Sequence, residues 1–276
     1  MKISNEKYLG SEKREALIDL EIPENFNQNI LIFIHGYMGF KDWGPWNLMQ
    51  RFFVQKGFGF CKFNMTHNGT TPEHPEDFVD LEAFGNNCYS FEKEDTFLVL
   101  NWLETKVDLT SCFLHVIGHS RGGGIALLCS GDSRIYSVIT LAAISSVEKR
   151  FSFNKKMFTE WEITGVRYIR NSRTNQDLPH YFSQYIDFQE NKKILSIKKA
   201  CVRLKKPLLI LHGDNDESVD ITEGHELANW SGNELSIVHN ASHTFGGSHP
   251  YTEKTLPRHL KDSCERILTF LRNHPF

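Results

Sequence analysis

The sequence predicts an α/β protein with a mostly parallel central sheet and helices on both faces. Short, continuous apolar runs recur along the chain, and such runs are typical of strands buried on both faces of a parallel sheet. Segments with apolar residues at helical spacing lie between these runs, and this alternation indicates βαβ units. The chain has 276 residues, of which 40% are hydrophobic, so it is long enough to bury a large core.

The first half of the chain establishes the alternation. Residues 15–22 partly alternate between apolar and polar side chains and are followed by Pro23, which predicts an N-terminal edge strand. Residues 29–34 are continuously apolar and predict a buried strand. Further strands are expected over residues 58–65, 113–117 and 135–144, and helices over residues 46–56, 92–102 and 125–128.

The alternation is interrupted between residues 145 and 206. This segment is rich in basic and aromatic residues and is too long for a simple connection, so it predicts an inserted, mainly helical cap. Residues 1–144 and 207–276 would then form the core domain. There the pattern resumes with strands over residues 207–211 and 234–238, a helix over residues 222–230 and a C-terminal helix. The apolar positions of that last helix are Leu260, Cys264, Ile267, Leu268 and Leu271.

A candidate nucleophile lies directly after the buried strand at residues 113–117. The motif G-H-S-R-G at residues 118–122 places Ser120 between this strand and a helix, which is the context in which G-x-S-x-G exposes a reactive serine. Gly118 and Gly122 give the clearance that so sharp a turn needs, and Gly123 allows the helix to pack close to the sheet. A glycine-rich turn with an incidental serine is the alternative.

Polar residues follow two later strands. Asp214 and Asp216 come after the strand at residues 207–211, and His243 follows the last strand more closely than His249 does. Because the carboxyl ends of parallel strands face one crevice, these side chains can meet Ser120. An imidazole activates a serine hydroxyl by taking its proton, and a carboxylate holds the imidazole. The residues therefore predict a Ser-His-Asp triad whose acid is one of the two aspartates.

Attack on a carbonyl group also requires donors for the developing oxyanion. The backbone amide of Arg121 directly follows the serine. The motif H-G-Y-M-G at residues 35–39 follows the strand at residues 29–34, and its glycines allow a tight fold that points amides above the strand end. We therefore expect the backbone amides of Tyr37 and Arg121 to hold the oxyanion.

Together these motifs resemble the α/β-hydrolase superfamily, with its esterase and serine-peptidase-like branches nearest. The matching motifs are H-G-Y-M-G at residues 35–39, G-H-S-R-G-G at 118–123, H-G-D-N-D at 212–216 and N-A-S-H at 240–243. Their order, Ser then Asp then His, is that of the superfamily. In its H-G-x-x-D pattern the second aspartate is the triad acid, which implies Asp216 and leaves Asp214 as a turn-former. Serine at position 120 argues against haloalkane dehalogenase, epoxide hydrolase and dienelactone hydrolase chemistry.

The resemblance implies a serine hydrolase that uses no cofactor, with Ser120, His243 and Asp216 as catalytic residues. We expect it to cleave a small-molecule carboxylic ester through an acyl-enzyme, because the aromatic residues of the cap suit apolar or aromatic groups. Peptidase or thioesterase activity with the same triad is the alternative. A non-catalytic ligand-binding module, or a cofactor-free lyase or perhydrolase on the same fold, stays open as well.

Three tryptophans are candidates for contact with the substrate. Trp43 and Trp46 follow the loop at residues 35–39, and Trp161 lies among the aromatic residues of the predicted cap. Packing within the core or the cap is the other interpretation of each.

The composition argues against several other partners and locations. A net charge of −3 gives no reason to expect nucleic acid or an anionic membrane as a partner. No apolar stretch approaches the roughly 20 residues that cross a bilayer, and residues 1–7 do not resemble a signal peptide. The six cysteines are scattered without metal-ligand spacing, which predicts free thiols in the cytoplasm and no metal site. The oligomeric state is left open.

Overall fold

The computed structural model describes residues 1–274, which contain ten β-strands and nine α-helices. The strands are β1 (Lys2–Leu9), β2 (Glu15–Glu21), β3 (Asn29–Ile34), β4 (Gly59–Phe63), β5 (Phe113–His119), β6 (Ile135–Leu141), β7 (Val166–Asn171), β8 (Gln176–Tyr181), β9 (Leu208–Gly213) and β10 (Leu235–Val238). The helices are α1 (Trp46–Val54), α2 (Leu81–Asn86), α3 (Tyr89–Glu104), α4 (Arg121–Cys129), α5 (Lys155–Thr164), α6 (Ser183–Asn191), α7 (Ile197–Arg203), α8 (Ile221–Ser231) and α9 (Arg258–Asn273).

Eight of these strands form one sheet in the order β1-β2-β4-β3-β5-β6-β9-β10. The five pairings from β4 to β10 are parallel, whereas β1–β2 and β2–β4 are antiparallel. The mostly parallel sheet that the apolar runs predict is therefore confirmed. Because its parallel strands all end at one edge, the loops that follow β3, β5, β9 and β10 lie near one another.

The edge of the sheet differs from the prediction. Residues 15–22 are not the edge, because β2 lies between β1 and β4 and its Ile18 and Leu20 are fully buried. The edge strand is β1, whose side chains are mostly exposed except for Tyr8. An exposed polar edge strand lacks the hydrophobic alternation by which strands are recognised, so the sequence pattern does not reveal it.

Helices cover both faces of the sheet, and the alternation within β3 shows how. Ile32 belongs to a core formed with α3, α4 and α8, whereas its neighbour Phe33 belongs to a second core formed with α1 and α9. Both side chains are fully buried. A strand covered on both faces has no polar side, which explains the continuous apolar run in the sequence.

The insertion between β6 and β9 contains more helix than strand, in agreement with the prediction of a mainly helical segment, but it is not purely helical. It contains α5, α6 and α7, but also an antiparallel hairpin of β7 and β8. Gly165, with φ of 72°, ends α5, and Val166, Tyr168 and Ile169 follow. These β-branched and aromatic residues favour a strand, and the basic residues between them obscure the pattern. The domain boundaries at residues 145 and 206 stay a prediction.

Three further features of the described residues bear on the class of protein. No helix within residues 1–274 has the length and apolar character needed to cross a membrane. All six cysteines are free thiols, and five of them are buried. No group of three His, Cys, Asp or Glu side chains in this part of the chain is placed to hold a metal ion.

Candidate active site

Ser120 lies at a sharp turn between β5 and α4. Its backbone has φ of 56° and ψ of −120°, which is rare for a residue with a side chain and persists only where the surroundings hold it. A Cβ at Gly118 would lie 2.2 Å from the carbonyl oxygen of Gly122. A Cβ at Gly122 would lie 2.4 Å from the carbonyl oxygens of Ile34 and His35. The turn therefore requires glycine at both positions, as the motif predicts.

The loops after β5, β9 and β10 bring three of the predicted site residues together. Ser120 Oγ lies 2.9 Å from Nε2 of His243, and Nδ1 of His243 lies 2.8 Å from Oδ2 of Asp216. With Nδ1–H donating to the carboxylate, Nε2 is left to accept the serine proton. The Asp216 side chain is fully buried and that of His243 is 14% exposed, so the imidazole is shielded but can be reached from the cavity.

Asp216 is surrounded by hydrogen-bond donors. Its Oδ1 accepts from the backbone amides of Ser218 and Val219, each at 2.9 Å, and its Oδ2 lies 3.2 Å from Nε2 of His212. Burial alone would raise the pKa of Asp216, but the hydrogen bonds from His212 and His243 outweigh burial and hold this pKa well below its ordinary value. The carboxylate is therefore ionised at neutral pH.

The other candidate acid, Asp214, makes different contacts. Its Oδ2 lies 2.8 Å from Nδ1 of His239, and its Oδ1 accepts a hydrogen bond from the backbone amide of Asn240. These contacts tie the loop after β9 to the loop after β10. Of the two aspartates, Asp216 is the one that contacts and orients the His243 ring.

Two further histidines brace the loops of the site. His119 donates from Nε2 to the carbonyl oxygen of His243 at 2.9 Å. The Met65 amide donates to Nε2 of His35 at 3.1 Å, so Nδ1–H of His35 donates to the carbonyl oxygen of Gly36 at 2.9 Å. Burial lowers the pKa of His119 to about 3 and that of His35 to about 4, so both rings are neutral near pH 7.

The loop at residues 35–39 lies directly against the serine. A Cβ at Gly36 would lie 3.0 Å from the Cβ of Ser120. Within residues 1–274 the backbone amides of Tyr37 and Arg121 have no hydrogen-bond acceptor. Arg121 is also the first residue of α4, where free amides favour negative charge. Both amides are thus available to an oxyanion, and that role stays a prediction.

A cavity of about 400 Å³ lies in front of Ser120 and His243. Part of its wall is apolar or aromatic, formed by Met38, Tyr89, Ile144, Phe151, Ile169 and Val219. Phe151 and Ile169 come from the insertion, so this segment contributes to the cavity. Cavities of this size hold small molecules.

The polar part of the wall contains six side chains that the sequence analysis did not predict, since it named Tyr37 and Arg121 only for their backbone amides. These side chains are Tyr37, Arg121, Arg150, Arg167, His180 and Gln184. Four of them come from the insertion, which carries no recognisable motif. An arginine in a basic segment ordinarily indicates a solvated surface, so only the fold reveals that three arginines converge on this cavity.

Tyr37 and His180 connect the loop at residues 35–39 to the hairpin of β7 and β8. The Tyr37 hydroxyl donates to Nε2 of His180 at 2.7 Å, while Nδ1 of His180 lies 3.3 Å from the carbonyl oxygen of Leu178. Burial lowers the pKa of His180 to about 3 and raises the pKa of Tyr37. The pair is therefore neutral, and it fastens the insertion to the loop that approaches Ser120.

The tryptophans expected to contact the substrate lie outside the cavity wall, which corrects that expectation. Trp46 is buried, and its ring centroid lies 4.9 Å from that of Phe33 and 5.2 Å from that of His119. Trp43 stacks on His249, with ring centroids 6.1 Å apart. Trp46 belongs to the core formed with α1 and α9, and Trp43 packs against that core.

Trp161 is likewise a packing residue. Its Nε1–H donates to the carbonyl oxygen of His180 at 2.7 Å, and its ring stacks on Phe151, with centroids 6.2 Å apart. Phe151 faces the cavity, and the buried Trp161 supports it from behind.

The fold and this arrangement of serine, histidine and aspartate are those of a serine hydrolase in the α/β-hydrolase superfamily. The comparison with protein families is more specific, because residues 51–258 match the prolyl oligopeptidase family. The chain belongs to this family. A comparison with curated protein sequences gave no match.

Solved structures with the same fold include esterases and a peptidase. Est1E from Butyrivibrio proteoclasticus, determined with ferulic acid bound, has a TM-score of 0.74 at 18% identity, and the alignment covers 96% of this chain and 98% of that one. The esterase Pf2001 from Pyrococcus furiosus has a TM-score of 0.64 at 15% identity, with 99% and 92% covered. A puromycin-hydrolysing peptidase from Mycobacterium tuberculosis has a TM-score of 0.59 at 17% identity, with 88% and 36% covered. At these identities the likeness shows the fold alone.

Proposed function

We propose that this serine hydrolase cleaves carboxylic esters of small molecules through an acyl-enzyme formed on Ser120. The observation that carries the proposal is the relay in which Ser120 Oγ lies 2.9 Å from His243 Nε2 and His243 Nδ1 lies 2.8 Å from Asp216. Ser120 attacks the ester carbonyl carbon while its proton passes to His243. Asp216 stabilises the imidazolium that forms.

The remaining steps use the same groups. The backbone amides of Tyr37 and Arg121 donate to the oxyanion of the tetrahedral intermediate, and a donor of this kind is worth about 3–4 kcal/mol. His243 returns its proton to the departing alkoxide, which leaves the acyl group on Ser120. A water molecule that gives its proton to His243 then releases the acid and restores the free serine.

Two observations support an ester over a peptide. The cavity has a volume of about 400 Å³, which suits a small molecule, and three of its wall residues are arginines. Arginine side chains repel the free ammonium group that the N-terminus of a peptide would bring. Peptide hydrolysis is the second candidate, favoured by the family match and by the peptidase among the similar structures.

We also propose that residues 145–206 act as a cap over a core of residues 1–144 and 207–276. The arginines, His180 and Phe151 that the insertion supplies to the cavity support this division. In this arrangement the core provides the reacting groups and the cap selects the substrate.

A fluorophosphonate probe tests the activated serine. We expect it to label the protein at Ser120, as located by mass mapping, and to label the Ser248→Ala variant equally, because Ser248 is an exposed serine with no imidazole partner within residues 1–274. Ser120→Ala should lose the label. Failure to label the folded wild-type protein would overturn the proposed chemistry.

The type of bond requires a matched set of substrates. An ester, a thioester and an amide of one acyl group should be hydrolysed with the highest kcat/KM for the ester. A higher kcat/KM for the amide would make peptidase the correct assignment.

A further inference from the structure

The cavity in front of Ser120 is lined by an excess of positive charge. Arg121, Arg150 and Arg167 all contribute to its wall. Among the residues that the structure describes, no aspartate or glutamate lines it. Any carboxylate that pairs with one of these arginines therefore lies behind the cavity wall.

Two of the arginines are balanced in this way. Nε of Arg121 lies 2.8 Å from Oε2 of Glu92, and Arg150 donates from Nη2 to Oε1 of Glu223. Each guanidinium still has a buried donor without an acceptor in the described chain, Nη2 in Arg121 and Nε in Arg150. These two ion pairs are neutral, but each arginine keeps one N–H donor without an acceptor.

Arg167 on β7 is different, because no carboxylate within residues 1–274 pairs with it. Its guanidinium carbon lies 4.0 Å from the ring centroid of Phe153 and 5.1 Å from that of Trp161, so the group is held by stacking. Its Nε is buried and has no acceptor in the described chain. Glu92 and Glu223 pair with Arg121 and Arg150, so Arg167 is the arginine of the cavity wall whose charge has no carboxylate partner in the described chain.

An unpaired charge that is partly removed from water costs free energy unless another group compensates it. Stacking on aromatic rings holds the guanidinium in place but leaves its edge donors open. A planar guanidinium with free edge donors matches a carboxylate, which it can bind through two parallel hydrogen bonds. One guanidinium without a carboxylate partner matches one carboxylate of a ligand.

We infer that the substrate carries a carboxylate group besides the ester that is cleaved, and that Arg167 binds this carboxylate. The inference rests on the proposed function, since it assumes that Ser120 cleaves an ester. Hydrolysis would release a dicarboxylate if the charged group lies on the acyl side, and a hydroxy acid if it lies on the alcohol side. In either case water adds across the ester bond and no other reactant is needed.

Matched ester pairs separate the two sides. Monoethyl adipate and its terminal amide, ethyl adipamate, differ in charge on the acyl side, and 4-acetoxybenzoate and 4-acetoxybenzamide differ on the alcohol side. For at least one pair we expect kcat/KM to be about tenfold or more higher for the carboxylate, which is the size expected for a hydrogen bond to a charged group.

The variant that tests the role of Arg167 is Arg167→Gln, with Arg170→Gln as the matched control. Arg170 lies on the same strand, is exposed and pairs with Asp177 at 3.1 Å, and it does not line the cavity. Arg167→Gln should reduce the ratio of kcat/KM for the carboxylate to kcat/KM for the amide to about one. Arg170→Gln should keep the preference. Arg167→Lys, which retains the charge without the planar fork, should restore part of it.

Binding to Ser120→Ala, measured by calorimetry, distinguishes failure of the inference from failure of the proposed function. In this background the carboxylate of the preferred pair should bind about tenfold tighter than its amide, and Arg167→Gln should remove the difference. Equal binding and equal turnover within both pairs would overturn the inference and leave the hydrolase intact. A wild-type protein that does not react with the fluorophosphonate would overturn the hydrolase, and the binding difference would still decide whether Arg167 recognises a carboxylate.

Discussion

Glu92 and Arg121 form a buried ion pair directly behind the nucleophile. Glu92 Oε2 lies 2.8 Å from Arg121 Nε, and Asn87 donates to Glu92 Oε1 at 2.8 Å. The guanidinium carbon of Arg121 lies 3.8 Å from the ring centroid of Tyr89. Since Arg121 immediately follows Ser120, this pair connects α3 to the residue whose backbone amide we propose as a donor to the oxyanion.

Removing the charge of Glu92 should therefore destabilise the protein. In Glu92→Gln the guanidinium of Arg121 stays buried without its counterion, and the loss of one partner of a buried ion pair costs about 3 kcal/mol or more. We expect the free energy of unfolding in urea to fall by about this amount.

Glu6→Gln is the control, because Glu6 pairs with Lys106 at 2.6 Å near the surface, where such a pair contributes less than about 1 kcal/mol. Equal losses in the two variants would show that burial of the Glu92–Arg121 pair has no special effect.

Asp216→Asn should reduce turnover far more than stability. Asparagine keeps an acceptor for the amides of Ser218 and Val219, but it cannot stabilise the imidazolium of His243 and can favour its wrong tautomer. We expect kcat for the ester to fall about 10⁴-fold.

Asp214→Asn lies in the same loop and serves as the matched variant. Because Asp214 contacts His239 and Asn240, we expect its kcat to stay within about threefold of the wild-type value. A large loss of kcat in Asp214→Asn alone would transfer the role of the acid to Asp214.

The sequence predicts Ser120, His243 and one of the two aspartates because each lies in a loop after a buried strand, and the resemblance to the superfamily selects Asp216 over Asp214. Continuous apolar runs such as β5 are easy to recognise, and the parallel sheet converts a position after a strand into a position at one edge. The need for glycine at positions 118 and 122 can also be predicted from the motif, since a Cβ there would lie 2.2–2.4 Å from backbone oxygens.

The residues that surround the reacting groups could not be predicted in the same way. Arg167 and His180 lie on the hairpin of the insertion, and their approach to Ser120 depends on how that hairpin packs over Tyr37. Trp46 is expected to contact the substrate because it follows the loop at residues 35–39 in the sequence. Its side chain instead points to Phe33 in the core. Proximity along the chain does not determine the direction of a side chain.

Gly122→Ala should prevent the turn at Ser120 from forming correctly. The new Cβ would lie 2.4 Å from two backbone carbonyl oxygens, which cannot move as a flexible side chain can. We expect a loss of about 3 kcal/mol or more in the free energy of unfolding, measured by urea titration. At Gly131, shortly after α4, a Cβ would meet nothing within 4 Å, so Gly131→Ala should change stability by less than about 0.5 kcal/mol. Similar stabilities of the two variants would contradict the close packing of the turn.

Stability should fall in mild acid because several histidines are buried without charge. Burial lowers the pKa of His115 and His119 to about 3 and that of His35 to about 4. In the unfolded chain these rings take up protons near pH 6.5, so between about pH 4 and pH 6.5 the unfolded state binds more protons and stability decreases as the pH falls. At pH 5 each ring costs about 2 kcal/mol relative to neutral pH. Asp95, whose pKa burial raises to about 6, opposes this by about 1 kcal/mol, because its native carboxyl takes up a proton first.

The variant His115→Gln isolates one of these rings. His115 is 1% exposed, contacts Ser137 and Asn29 at 2.7 and 2.8 Å, and does not line the cavity. Urea titrations at pH 7.5 and pH 5 should show that the loss of stability between these two pH values is smaller by about 2 kcal/mol than in the wild type. Turnover at pH 7.5 should be unchanged. His74→Gln, on an exposed loop, controls for the loss of a histidine. An unaltered loss of stability in His115→Gln would mean that this ring already takes up its proton in the native state, and the acid sensitivity would have to come from other groups.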